Sequence, residues 1–210
     1  QQGTGTLGLE LGFEEYDEFA ALLKSAPDAL TEEKVRDALN KHKSGLQLLL
    51  ASEQPLDTPL IESIPQYKAV YKQLVGMSDY LMLDFGSGLP RVTQELLPQC
   101  DHVIMLIESV RNTIRHSKLL LQDLEKLGIK EDKITIIINN RFRSEQLLSL
   151  SQVEKELGHP ISITFTPAPE LHTQAARLKS IGILLQDDSI TKQQFKRLAK
   201  VIMTLKAEEE

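Results

Sequence analysis

Five short apolar runs punctuate the chain, at residues 46–51 (LQLLLA), 80–83 (YLML), 103–107 (VIMLI), 134–138 (ITIII) and 161–164 (ISIT). Each is too short for a buried helix, and most are apolar at consecutive rather than alternate positions. That is the pattern of strands buried on both faces, as in a parallel sheet covered by helices. Between the runs the spacing becomes helical. Leu119, Leu120, Leu124 and Leu127 form one stripe, and Gly128 supplies its stop. Ser151 with Glu154 three residues on predicts a capping box for a helix that Leu157 continues and Gly158-His159-Pro160 ends. Thr31 with Glu33 and Lys34 predicts a helix over 35–42. Thr191 precedes Phe195, Leu198, Val201, Ile202 and Leu205, the apolar side of an amphipathic last helix.

The predicted order is helix, strand, helix, strand, helix, strand, helix, strand, helix, strand, helix, helix. Strict alternation implies an α/β fold, a mostly parallel sheet with helices on both faces and right-handed crossovers. No Pro/Gly/Ser linker, low-complexity tract or internal repeat divides the 210 residues, so a single domain over 1–210 is expected. In such a sheet ligands bind beyond the carboxyl ends of the strands. The residue after each run is therefore where chemistry is sought.

Composition narrows the field. Lys and Arg number 24 against 30 Asp and Glu, a net charge of −6, which argues against bulk nucleic-acid binding, so no DNA partner is expected. Trp is absent and aromatics are 5%, so the core must be aliphatic. The longest unbroken apolar run, VIMLI, is far too short to span a bilayer. The single cysteine, Cys100, excludes an intrachain disulfide and a multi-cysteine zinc site and points to a reducing compartment. With His102 close by and an apolar strand following, it reads as a core or edge thiol rather than a nucleophile. None of His42, His102, His116, His159 and His172 pairs with another at helix-face metal spacing.

Gly3-Thr4-Gly5-Thr6-Leu7-Gly8 matches G-x-G-x-x-G. A dinucleotide fingerprint needs a strand immediately before it and an acidic residue ending a second strand about twenty residues later. Neither is visible, and a glycine-rich turn is the better reading. Run 80–83 leads straight into Asp84-Phe85-Gly86-Ser87-Gly88-Leu89-Pro90. An apolar strand ending in Asp is the Walker B arrangement, whose carboxylate orders Mg²⁺-bound water. Gly86 and Gly88 then let backbone approach a γ-phosphate and move when it leaves. A strand ending in an ordinary Asp turn has the same pattern, and spacing alone leaves both open. Asn139 and Asn140 follow run 134–138. Asn donates and accepts at once, which suits a purine edge and equally suits a turn. Pro167-Ala168-Pro169-Glu170 either presents backbone groups to a base or forms a rigid loop. Arg111, Arg115, Lys118, Arg141 and Arg143 gather after two strands, where phosphates, a partner or solvent would face them. Lys192, Lys196, Arg197 and Lys200 line the polar side of the last helix, which packs on a core or lies on a membrane surface.

Taken in order, these motifs resemble the MinD/ParA class of P-loop ATPases, most closely its CpaE-like branch that serves Tad-type pilus assembly. Residues 80–89 stand where the family has an apolar strand and D-x-P-P-G-L. Cys100-Asp101-His102-Val103 onward to Ser109 resembles its "ADxVxxVxxxS" strand, with Arg115 as the matching helical arginine. Ile136-Ile137-Ile138-Asn139-Asn140 resembles "VLNR", and Leu157-Gly158-His159-Pro160-Ile161 to Pro167-Ala168-Pro169 resembles "LGxPVxxxIPxD". Residues 1–9 resemble the "DLQFGSLGLLLG" segment after the family's second strand, which accounts for the G-x-G-x-x-G match without a nicotinamide cofactor.

The resemblance implies ATP and Mg²⁺ as cofactors. It implies Asp84 as the catalytic and Mg²⁺-organising residue, Gly86 and Gly88 as γ-phosphate sensors, and Asn139 with Pro167 and Pro169 at adenine. It implies a homodimer, protein partners in a pilus or secretion machine, and a cytoplasmic location with peripheral contact to the inner membrane. Two departures stand out. Gly86-Ser87 replaces the paired prolines, and no K-G-G-x-G-K-T loop occurs in the 210 residues. The family places that loop before the segment that resembles residues 1–9. The expectation is thus a domain lacking its first strands, with weak or no nucleotide binding by these residues alone. The alternative is a non-catalytic scaffold of the same fold. A sheet without its central strand should expose strand edges and aggregate, pair with another copy or repack.

Overall fold

The computed structural model describes residues 1–141, 144, 147–187 and 189–207, the last three by backbone alone. They fall into two compact units, Gln1–Gln99 with Ala176–Ser180, and Cys100–Ala175 with Ile181–Glu210.

The first unit is helical apart from one hairpin. Its elements are α1 (Leu7–Leu11), α2 (Glu18–Lys24), α3 (Glu32–Asp37), β1 (Asn40–Lys41), β2 (Gln47–Leu48), a 3-10 helix at Pro55–Glu62, α4 (Ile64–Val75) and α5 (Arg91–Leu96). Thr31 caps α3 by accepting the Lys34 N–H, but the helix ends at Asp37, short of the predicted 42, because Asn40 already enters a strand. Run 46–51 is not a parallel strand. Gln47 and Leu48 pair antiparallel with Lys41 and Asn40. Gly45, at φ +93°, closes a tight turn in which its N–H donates to the His42 carbonyl and the His42 N–H donates to that of Leu46. A turn this short joins only antiparallel strands.

Run 80–83 joins no ladder among the described residues. Leu81 and Leu83 are half-buried, while Tyr80 and Met82 are 53% and 77% exposed. Among the described residues no strand lies beside it to form a ladder, and a strand is defined by its ladder. Pro65 sits in the first turn of α4, where its missing N–H costs nothing. Ile64, Val92 and Leu96 form a core with Tyr67, Tyr71 and Phe85 packed against it.

The second unit carries the sheet. Its elements are β3 (Val103–Ile107), α6 (Arg111–Lys126), β4 (Ile134–Asn139), α7 (Leu150–Leu157), β5 (Ile163–Phe165), α8 (Pro169–Arg177) and α9 (Ile190–Ala207). The strand order is β3-β4-β5, all parallel, with Val103 opposite Ile134 and Ile137 opposite Ile163. β4 is central and buried from Ile134 through Ile138, as a continuous apolar run requires. α6 packs against β3, and α7 against α6. On the face shared by Ile104, Ile137, Ile163 and Phe165, α9 contributes Leu198 and sets Phe195 against Phe165 in a tilted ring contact, centroids 4.7 Å apart. The result is an α/β fold with a parallel three-stranded sheet flanked by helices.

Gly158, in the left-handed region at φ +74°, ends α7, and Gly128 at φ +84° follows the end of α6, both as predicted. The caps differ by two residues. Ser149 with Gln152 forms the box on α7, not Ser151 with Glu154. Glu154 instead accepts the Ile161 N–H at 3.0 Å. Ser189 accepts the Lys192 N–H at 3.1 Å at the head of α9, and Thr191 lies within the helix. No helix of the described residues is long and apolar enough to cross a membrane.

Candidate functional site

The carboxyl edge of the second unit's sheet holds the residues that follow β3, β4 and β5. Asn140 is committed to structure. Its Oδ1 accepts the Ser109 N–H at 2.9 Å and its Nδ2 donates to Ser109 Oγ at 3.4 Å. Ser109 is buried, and its carbonyl accepts the Leu148 N–H at 2.8 Å. This staple fixes the exit of β3 against that of β4. Asn139 is different. It ends β4 in register with Phe165, its side chain is exposed, and it makes no side-chain hydrogen bond among the described residues. The free amide is thus held in place by the central strand and by its tied neighbour.

Pro167 is half-buried, and the exposed Pro169 opens α8. The approach to them is clamped. Thr166 donates from its N–H and its Oγ1 to Gln194 Oε1 at 3.3 and 3.4 Å, and Gln194 Nε2 donates to the Thr164 carbonyl at 3.0 Å. Asn139 and the loop holding Pro167 and Pro169 therefore share one edge of neighbouring strands. Nothing in the sequence pattern singled out Gln194; its position one turn into a helix packed on β5 is the signal that identifies it.

The basic residues at this edge do not form one free cluster. Arg141 pairs with Glu108, and Arg111 lies 3.9 Å from Glu156. Arg143 lies outside the described residues.

In the first unit, Asp84 is exposed, and one carboxylate oxygen accepts the Gly86 N–H at 2.8 Å, which shapes a tight turn. Its second oxygen makes no hydrogen bond among the described residues. Gly86 and Gly88 both have positive φ, +70° and +75°. A Cβ on Gly86 would come within 2.9 Å of Gln1 Nε2, whereas Gly88 has open space around it. Phe85 anchors the loop in the Ile64–Val92–Leu96 core. The anchor was not read from the sequence, although Phe85 is the one large apolar residue between Asp84 and Leu89.

The glycines of residues 3–8 serve packing. The N–H groups of Gly3 and Gly5 both donate to the Ser52 carbonyl, at 2.8 and 3.1 Å. A Cβ on Gly3 would overlap Thr58 Oγ1, one on Gly5 the Ala51 carbonyl, and one on Gly8 the Tyr16 ring. Close approach of the chain to itself explains this G-x-G-x-x-G without a ligand.

Among the described residues no three His, Cys, Asp or Glu side chains gather as a metal site. Burial first, and Asp101 second, push the Cys100 thiol up, as suits an unreactive group. A cavity of about 560 Å³ opens beside Ile134, Gly128 and His159, at the amino end of β4. That is the wrong end of the strands for a ligand of this fold.

A free hard-oxygen donor at Asp84 fits Mg²⁺, and a free amide at Asn139 fits an adenine edge. A phosphate cradle with its lysines is not among the 210 residues.

No protein-family profile matches the chain. A curated relative, the septum site-determining protein MinD of Thermotoga maritima, is 24% identical over 172 residues, covering 80% of this chain and 62% of that protein. The chain thus spans less than two thirds of the relative's length. Three solved structures of MinD share its fold. MinD of Pyrococcus furiosus has a TM-score of 0.79 at 16% identity, over 98% of this chain and 83% of that one. MinD of Pyrococcus horikoshii, complexed with Mg-ADP, has 0.76 at 18%, over 99% and 82%. A MinC:MinD complex of Aquifex aeolicus has 0.71 at 22%, over 95% and 78%. The fold of this chain is that of the MinD/ParA P-loop ATPases.

Proposed function

We propose that these residues are the C-terminal portion of a MinD/ParA-like ATPase, one domain in all. It binds ATP and Mg²⁺ and hydrolyses slowly. Each cycle switches its dimerisation or its hold on a partner, and so localises a pilus or secretion assembly at the cytoplasmic side of the inner membrane. The observation that carries this reading is the division of labour at the end of β4, where Asn140 is spent on Ser109 and Asn139 is left free. A structural turn needs the first asparagine and has no use for the second. The likeness to MinD solved with Mg-ADP supports the cofactors, and the likeness to MinD solved with MinC supports a protein partner.

In this reading Asp84 holds the metal through the oxygen that Gly86 does not engage, and orients water. Gly86 and Gly88 keep side chains away from the γ-phosphate. Asn139 donates to and accepts from the adenine edge, and Pro167 and Pro169 wall the base. Mg²⁺, when bound, supplies the charge that stabilises phosphoryl transfer.

A second reading is favoured by one sequence fact, Gly86-Ser87 in place of paired prolines. It is a non-catalytic scaffold of the same fold acting through protein contacts. Titration of a fluorescent ATP analogue with Mg²⁺ decides between them. The protein expressed from the whole gene should bind it, Asn139→Ala should weaken binding about tenfold, and the 210 residues alone should bind weakly. A whole-gene product that binds no nucleotide leaves the scaffold.

A further inference from the structure

The carboxyl end of β5 is held from α9 by one side chain. In a parallel ladder a residue of the neighbouring strand bonds the carbonyl at one position and the N–H two positions on. Gln194 does both with its side-chain amide. Nε2 donates to the Thr164 carbonyl at 3.0 Å, and Oε1 accepts the Thr166 N–H at 3.3 Å and the Thr166 hydroxyl at 3.4 Å. Among side chains, Asn and Gln alone carry the amide of a peptide group. The next residue, Phe195, meets Phe165, which lies in register with Asn139. Two successive residues of α9 therefore fix the strand end beside Asn139 and the start of the loop that holds Pro167. We propose that Gln194 is a positioning residue through which α9 sets the base specificity of the proposed nucleotide site, an inference that rests on the adenine reading of Asn139.

Base choice needs more than Asn139. Adenine presents an amino donor where guanine presents the O6 acceptor. A carboxamide can turn over and match either one. A backbone carbonyl cannot turn over. The carbonyls of Thr166 and Pro167 accept no hydrogen bond among the described residues, whereas that of Ala168 takes the His172 N–H and that of Pro169 the Thr173 hydroxyl. A free carbonyl at this edge accepts from the amino group of adenine and repels O6 of guanine. A fixed acceptor discriminates because the wrong base leaves it unpaired. How firmly these carbonyls are held depends on Thr166, which Gln194 grips by both N–H and hydroxyl. Asn139 supplies contact, and the clamp supplies selectivity.

Competition of ATP and of GTP against the fluorescent ATP analogue, with the whole-gene protein and Mg²⁺, tests this. Gln194→Met keeps the length and helix propensity of the side chain and removes both hydrogen-bonding groups. It should weaken ATP about tenfold and leave GTP as tight or tighter, so the preference for ATP falls by at least that factor. The circular dichroism spectrum without nucleotide should be unchanged, and retained GTP binding is a second control for folding. A wild-type protein with no preference for ATP over GTP overturns the proposal. So does a Gln194→Met protein that keeps the wild-type preference, or one that loses ATP and GTP equally. Asn139→Ala separates the two levels of the argument. If it leaves ATP binding untouched, the adenine reading fails and takes this inference with it. If it weakens ATP while Gln194→Met keeps the preference, the role of Gln194 fails alone.

Discussion

At the scale of single residues, two glycines that look alike in sequence do different work. Gly8 has the Tyr16 ring where its Cβ would stand, whereas Gly128 has open space and only an unusual φ. Gly8→Ala must push an aromatic ring that is itself buried, so it should cost about 1–3 kcal/mol in chemical unfolding. Gly128→Ala should cost about 1 kcal/mol, the strain of a left-handed alanine. The two asparagines separate in the same way. Asn140→Ala strips the Ser109 N–H of its acceptor and should lower stability by about 1–3 kcal/mol. Asn139→Ala should leave the melting temperature where it was, its effect confined to ligand binding. The sequence showed this pair and its strand, but could not say which of the two faces outward. The answer depends on Ser109, which is 31 residues away from Asn140.

Elements differ in how openly the sequence declares them. β4 was legible because a continuous run of branched residues suits a strand buried on both faces, and β3 and β5 were found by the same pattern although each leaves a residue, Leu106 or Thr164, exposed. Run 46–51 was equally apolar, yet the turn closed by Gly45 sent it back along β1. α4 and α5 were expected in the alternation but without boundaries. Pro65 reads as a breaker, although Ile64, Tyr67, Val70 and Leu74 keep helical spacing. The caps on α7 and α9 slipped by two residues because several serines and threonines compete in those stretches, and only packing selects among them. Run 80–83 failed for another reason. Strand identity is a property of pairs, and no strand lies beside this run among the described residues, whatever its own propensity. Amide hydrogen exchange should therefore protect Ile136, Ile137 and Ile138 to near the global limit, and leave Leu81, Met82 and Leu83 exchanging through local opening.

For the whole molecule, Tyr67 and Asp57 of the first unit are two groups that tie stability to pH. Burial pushes the Tyr67 phenol up to about 12 from its ordinary value of 10.0. Its neutral form is favoured by folding, so its contribution is complete below pH 10 and is lost as pH rises through about 12. Hydrogen bonds from Lys24 and then Ser52 lower the Asp57 carboxyl. Its contribution is present above the ordinary carboxylate range and disappears as pH falls through the lowered value. Urea unfolding against pH should show both limbs, with Tyr67→Phe flattening the alkaline one and Asp57→Asn the acid one. The aliphatic, Trp-free composition fitted a buried sheet, whereas nothing in the sequence marked the division into two compact units. No linker marks it, because α8 itself runs from one grouping of residues into the other.

The exposed apolar residues Tyr80 and Met82 also bear on how these 210 residues behave when expressed alone. Tyr80, Leu81, Met82 and Leu83 carry no charge and no proline, and two of the four are exposed in the folded state. Such a segment is what chaperones grip and what nucleates aggregates, and it is displayed without any unfolding. Yield and turnover of these residues are then uncoupled from melting temperature. Filling the core further would not improve solubility, whereas Met82→Lys, a single charge at the most exposed of the four positions, should raise the soluble fraction in an expression and centrifugation assay.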